Sequence, residues 1–528
     1  MNAIRWSVVL LGCATVLVLG GCVAPAGTAS LPSSQVTEQI GVSDVQAGTV
    51  LDFDPSTACL FEPVILGNVY ETLTFHNPPG SKEEIAPGLA TSWQKSADSL
   101  TWTFKLQPGV KFHDGTDFNS AAVKFSIERA QPASCASYLL SAIKSVETPD
   151  DLTVVFRLAN PSPLDLIFAQ PYGVYMMSPT AVNGKGADWF NAGHDAGTGP
   201  YKLEQIVPNE RVVLTRFDDY WRGWKPGQFS KVVIQFSEDG TALEQMLRAG
   251  QIDITASGVL PAQTVLALDG VNHLDVVSGE AYTTLSIPLN HVQAPTDNKL
   301  VRQALSYSFP YDEVVAQMLG GKAKRATGMV PHNMWGYDAR PTGYEFDLEK
   351  AAALLAEAGY PNGGFDLVIT YPDSLDMPQI AELWGAELAK LGIHLDMRKM
   401  TIDARWEWAK SDPPHAQHAY LLDWPVDIVS PMSALTALYH SEEQPFFNTA
   451  YYKNPEYDAL VEEANSLSGS DRDAAVAKYQ AAQRMLIDDA AAIFVLDAPG
   501  FAVKKDDIRG YEYNPAYGQT IFWYDLSR

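Results

Sequence analysis

The chain has 528 residues, 46% hydrophobic and 19% charged, a globular composition that accommodates two to four packed units at roughly 150 residues each. Lys and Arg number 37 against 63 Asp and Glu, a formal net charge of −26 that phosphate backbones and anionic lipid surfaces repel, which excludes nucleic-acid work. Beyond the leader no apolar run approaches the ~18 residues that span a bilayer, which excludes a multi-pass transporter.

Residues 1–6 carry one cation, Arg5, and residues 7–21 are almost wholly apolar or small. That order predicts a signal peptide. It ends in Leu19-Gly20-Gly21-Cys22, which resembles the bacterial lipobox, where a cysteine thiol takes a diacylglyceryl group before cleavage. Residues 1–21 are therefore expected to be a lipoprotein signal peptide, with Cys22 lipidated and 22–37 a flexible, Ala/Pro/Gly/Ser/Thr-rich tether. Outside the cytoplasm Cys59 and Cys135 are the only thiols that can pair while sparing Cys22; two separate buried thiols are the alternative.

Leu100, Trp102, Phe104 and Leu106 alternate with polar residues and predict a half-buried strand, as do Leu152, Val154, Phe156 and Leu158. Asp114-Gly115 marks a tight turn, and 120–129 reads as a helix with Ser120 as N-cap. The second half is more helical. Asp347 caps a helix that Gly359 stops, 378–391 ends at Gly392, and Asn454-Pro455 opens another. Ser470, with Asp473 three residues on, opens a long helix through Leu486. Strands and helices mix without repeats, so the expected fold is α/β in two lobes.

Enzyme motifs are missing. There is no His-Glu-x-x-His, P-loop or Gly-x-Ser-x-Gly. Gly197-Thr-Gly199-Pro-Tyr lacks the third glycine of a dinucleotide turn, and Ser141-Ala-Ile-Lys144 lacks its partner motifs. His415 and His418 flank no helix once Pro413-Pro414 is considered, and the cysteines are too scattered for zinc. No catalytic residue, metal or cofactor is expected. The feature that stands out is Tyr420-Leu-Leu-Asp423-Trp424-Pro, an acid at the end of an apolar run. Desolvating a carboxylate costs several kcal/mol unless a cation or several donors compensate. In a cleft Asp423 would take a ligand's positive group; otherwise it caps a turn or pairs with a local Arg. Trp406, just upstream, is either pocket wall or core.

Glu84-Ile-Ala-Pro-Gly-Leu-Ala-Thr-Ser-Trp93, Pro108-Gly-Val-Lys-Phe-His-Asp-Gly-Thr116, Gly197-Thr-Gly-Pro-Tyr201, Asp219-Tyr-Trp221, Val301-Arg-Gln-Ala-Leu305, Leu354-Leu-Ala-Glu-Ala-Gly-Tyr360 and Asn454-Pro-Glu-Tyr-Asp458 occur in this order. Together they resemble the family 5 bacterial extracellular solute-binding proteins, the peptide- and nickel-binding group that serves ABC importers. The resemblance implies a two-lobed periplasmic-binding-protein-like fold of cluster C type. Lobe I would comprise 38–75, 196–287 and 499–528, with 76–195 as its extra subdomain, and lobe II 288–498. Strands crossing near 287 and 498 would form the hinge. The implied function is capture of di- or oligopeptides for an ABC permease and ATPase by a lipid-anchored monomer. An oligosaccharide, metal chelate or small cationic metabolite is the alternative cargo, and a lipoprotein hydrolase a remote one.

In peptide-binding members an acid after a Trp-containing strand takes the peptide amine, which implies that role for Asp423. Here Tyr420 or Leu421 stands where the family often has Trp, and Asp427 is a second acid close by. Trp406 and Trp424 would supply apolar walls. Arg405 and His440 are candidates for a ligand carboxylate on their chemistry alone.

Overall fold

Alternating apolar side chains build the sheet nearest the N-terminal half. Trp102, Phe104 and Leu106 of the strand Thr101–Leu106 are buried, as are Val154, Phe156 and Leu158 of Thr153–Leu158. The two strands pair antiparallel with Phe104 opposite Val154. Ala90–Lys95 and Ile143–Asp150 complete a four-stranded sheet. Val123 and Ile127 of the helix Ser120–Ala130 join the same core. Its N-cap is Asn119 rather than Ser120. The Asn119 side chain accepts from the Ala122 amide at 3.1 Å, while the Ser120 hydroxyl turns away to the Asp150 carbonyl. The structure, a computed structural model, describes residues 39–46, 52–59, 61–318, 321–340, 343–372, 376–443 and 445–528. The leader, the tether and Cys22 lie outside the described residues. Cys59 and Cys135 are disulfide-bonded, with Cα atoms 6.0 Å apart.

The largest sheet is mixed. In order it holds Leu422–Pro425, Leu274–Pro288, Ala492–Lys505, Ile254–Thr255, Ile40–Gln46, Lys231–Ser237, Arg211–Arg216 and Tyr201–Val207, with Lys324–Arg325 also on Ala492–Lys505. The long strands Leu274–Pro288 and Ala492–Lys505 run antiparallel, and their register breaks between Glu280 and Thr284. A bulge there bends the pair without ending it. A parallel three-stranded sheet, His394–Lys399, Asp366–Tyr371 and Ala419–Tyr420, stands beyond this break. Asp347 caps the helix Leu348–Glu357 through the Lys350 amide, and Gly359 follows at a φ of +93°. The long C-terminal helix is Arg472–Asp488, and its cap is Asp471, not Ser470. Asp471 accepts from the Ala474 amide at 3.1 Å. Among the described residues no helix is long and apolar enough to cross a membrane.

The ordered motifs hold the fold together. A Cβ on Gly197 would lie 1.9 Å from the Val69 carbonyl oxygen, and one on Gly199 would lie 2.6 Å from it. Both positions therefore need glycine for close approach of backbone. The half-buried Glu71 accepts from the Thr198 hydroxyl and the Tyr220 hydroxyl, each at 2.8 Å, and from the Trp221 indole at 3.1 Å. Thus Gly197–Tyr201 and Asp219–Trp221, both far from Glu71 in sequence, meet on one acid.

The four-stranded sheet also touches the C-terminal helices. Arg472 donates to Glu84 at 2.7 and 3.1 Å and lies 4.3 Å over the Trp335 ring. Lys95 donates to the Gly469 carbonyl at 2.7 Å. Burial would raise Glu84, but His76, 3.7 Å away, and the hydrogen bonds and charge of Arg472 outweigh it and hold its carboxyl at about 2.

Candidate functional site

The stretch 419–427 passes from one sheet to another. Ala419–Tyr420 pairs with Ile369 and Thr370 of the parallel sheet, and Leu422–Pro425 then joins the long strand, Asp423 opposite Leu285 and Trp424 opposite Thr284. Tyr420, Leu422 and Trp424 enter one core. Side chains at the end of this stretch lie where the large sheet, the parallel sheet and the four-stranded subdomain converge.

Two acids flank Trp424, and their surroundings differ. Asp423 is half-buried, and burial raises its carboxyl, partly opposed by its own backbone amide and by the charge of Arg405. Asp427 is half-buried too, and its carboxylate accepts from the Tyr138 hydroxyl at 2.9 Å, a residue 289 positions earlier in the four-stranded subdomain. Burial pushes Asp427 up to about 6 against the hydrogen bonds of Tyr138 and Ser433, with no cation among the described residues acting on it. Burial and then the charge of Asp427 drive the Tyr138 phenol well up, so it stays a donor.

An aromatic row lies beside the acids. Trp424 packs edge-on against Phe447 at 5.2 Å, and Phe447 against Trp406 at 5.4 Å. Trp424 is buried at 7% exposure, whereas Trp406 is half-buried. Ser433 ties the row to Asp427: its hydroxyl oxygen accepts from the Trp424 indole at 3.4 Å and from the Asp427 amide at 2.8 Å. Arg405, at 1% exposure, stands 5.3 Å from the Tyr420 ring and donates to the Leu421 carbonyl at 2.5 Å. The site thus brings together Arg405, Trp406, Tyr420, Asp423 and Trp424. His440 is turned elsewhere, its ring held by Glu462 at 3.1 Å and by the Ser441 carbonyl. Tyr138 and Phe447 went unread in the sequence. Neither stands in a motif, and only tertiary contact brings them to this place.

This arrangement offers charged and apolar groups that can hold a ligand. Comparison with known proteins agrees. The model of the bacterial extracellular solute-binding proteins, family 5 (middle region), matches residues 84–446. The chain belongs to that family. This family 5 protein is 28% identical over 473 residues to a probable D,D-dipeptide-binding periplasmic protein of Escherichia coli, covering 86% of this chain and 87% of the relative. It is 29% identical to a glutathione-binding protein of Pectobacterium atrosepticum, covering 83% and 84%. Among solved structures, the periplasmic binding protein DppA of Helicobacter pylori, in complex with the peptide STSA, aligns with a TM-score of 0.80 at 25% identity, covering 93% of this chain and 98% of that one. The family 5 protein therefore has the two-lobed fold and is a solute-binding protein of the group that serves ABC importers. The relatives named are binding proteins.

Proposed function

We propose that the protein is an exported lipoprotein, anchored through Cys22, that captures di- and oligopeptides between its lobes and passes them to an ABC permease and ATPase as a monomer. Lobe I is read as 38–75, 196–287 and 499–528 with subdomain 76–195, and lobe II as 288–498. One observation carries the peptide reading: the Asp427 carboxylate is sheltered, faces a phenol from the other lobe and has no cation among the described residues acting on it. A ligand ammonium would supply the missing charge, and a charge-assisted bond there would be strong. Asp423 fits that role less well, because Arg405 already offsets its charge. The cargoes named for the relatives, a D,D-dipeptide, glutathione and the peptide STSA, are of the same chemical class. Cargo that touches both lobes raises the closed population by the contacts it makes only there.

Titration with a free-amine peptide across pH tests this reading. With Asp427 near 6 in the empty protein, the carboxylate is ionised at pH 7 and protonated below pH 6. An ammonium needs the ionised form. Affinity should therefore hold above pH 7 and fall about tenfold per unit below pH 6. The N-acetylated peptide should bind weakly and show no such slope. A flat profile for both peptides would reject amine capture.

Closure also involves the Arg472–Glu84 pair, which joins subdomain 76–195 to lobe II outside the aromatic row. Both groups are more than a third exposed, so the pair contributes under about 1 kcal/mol. Arg472→Ala is expected to weaken every cargo alike, by a few-fold at low salt and not at all at high salt. Calorimetric titration at two ionic strengths reads this directly.

A further inference from the structure

The two long strands that join the lobes carry a charged cluster at the point where their pairing breaks. Resting on the lobe boundaries given above and not on the nature of the cargo, we propose that Glu280, Lys324, His332 and Asp497 form an ionic latch across this hinge, with Glu280 and Lys324 as positioning residues that hold the lobes at the closed angle. Pairing of Leu274–Pro288 with Ala492–Lys505 runs through Gly279–Gly500 and Glu280–Pro499, stops, and resumes at Thr284–Asp497. Before the break the strands are braced. The Tyr513 side chain fills the space that side chains on Gly279 and Gly500 would need, since Cβ atoms there would meet it at 2.5 and 1.9 Å. Bending between the lobes therefore falls on residues 281–283 and their neighbour Ala498. Glu280 is the last paired residue on the lobe I side, and Asp497 the first on the other.

The cluster spans the break bond by bond. The buried Asp497 side chain accepts from the Thr284 hydroxyl at 3.1 Å and from the His332 amide at 2.9 Å, and His332 Nδ1 lies 2.8 Å from it. Burial raises this carboxyl, and the bonds from His332 and Thr284 oppose that rise. A neutral imidazole has one N–H, which Asp497 takes here, so Nε2 is left to accept from the Lys324 ammonium at 2.8 Å. Lys324 stands opposite Asp497 in the sheet and also donates to Glu280 at 2.5 Å, while Glu280 lies 3.1 Å from the same imidazole nitrogen. The bonds thus lead from a buried acid of lobe II, through His332 and Lys324, to an acid of lobe I. A half-open cavity of about 220 Å³, lined also by Ser278, Lys322 and Pro499, borders these side chains. It leaves Glu280 room to part from Lys324 when the strands rotate about the break. A contact made in one arrangement of the lobes and lost in the other raises the population of the first.

Small-angle scattering of the cargo-free full-length protein, together with calorimetric titration of Ala-Phe, tests this. Lys324→Ala and Glu280→Gln should each open the lobes. The change reads as a larger radius of gyration if the empty protein is mostly closed, or as an affinity about two- to fivefold weaker if it is mostly open. Lys324→Arg should match the wild type. Glu280→Lys should open the lobes, and Glu280→Lys combined with Lys324→Glu should close them again, a rescue that a role in folding alone would not produce. Melting temperatures of the single variants should stay near that of the wild type, because both side chains are more than half exposed. Single variants that leave radius and affinity unchanged, or a double variant no better than Glu280→Lys, would overturn the latch. If Ala-Phe fails to bind even the wild type, the peptide reading falls and the radius alone decides the latch.

Discussion

Asp427→Asn is expected to weaken binding of a free-amine peptide by about 2–5 kcal/mol, the range for unpairing a sheltered charge, or roughly thirty- to several-thousand-fold. The same change should raise the melting temperature of the empty protein. Burial lifts the Asp427 carboxyl to about 6, so the folded state holds a proton that the unfolded state gives up near 3.8. Stability then falls as pH rises through that window, and the deficit is fully present at pH 7. Asparagine carries no such deficit and still accepts from Tyr138. Lost binding with gained stability would separate a ligand-directed acid from a structural one. Asp423→Asn also removes a carboxyl that burial raises, so it should not lower stability at pH 7 through that group, and it should keep the preference for a free amine. If instead Asp423→Asn abolished that preference and Asp427→Asn kept it, the two acids would exchange roles.

The second large effect concerns the fold. Gly197→Ala is expected to cost about 3 kcal/mol, the upper end for overpacking, because the new methyl would meet the Val69 carbonyl oxygen at 1.9 Å. Backbone cannot swing aside as a side-chain tip can. Gly186→Ala, which would meet nothing within 4 Å and sits at a helix N-cap, should cost a few tenths at most. Urea denaturation of the three proteins compares them. Equal midpoints for Gly197→Ala and the wild type would mean that the two backbones need not approach so closely.

What was legible in the sequence follows the range of the forces involved. Period-2 alternation at 100–106 and 152–158 is a local pattern, and the strands lie there, each one residue shorter, with Leu152 exposed at the edge of its turn. Asp347 and Gly359 bound their helix because cap and stop chemistry is also local. The two misplaced caps, Ser120 for Asn119 and Ser470 for Asp471, lay one residue away, where two good capping side chains stood side by side and only the fold chose. Family motifs carried the two-lobed architecture. The site was harder. Two acids astride one tryptophan look alike in a sequence; what separates them here is Arg405 beside one and Tyr138 opposite the other. His440 read as a free cation, and Glu462, on the next helix, already holds it.

The place of the strand Ala492–Lys505 has a consequence for how such a chain is made. It lies between Leu274–Pro288 and Ile254–Thr255, inside the largest sheet, not at its rim. A nascent polypeptide that has emerged only as far as residue 491 has the flanking strands and a gap where their common neighbour belongs. Sheets paired over such separations assemble slowly, so this half cannot close until synthesis is nearly finished. The unfinished molecule would stay pliable for longest, which suits the export proposed above.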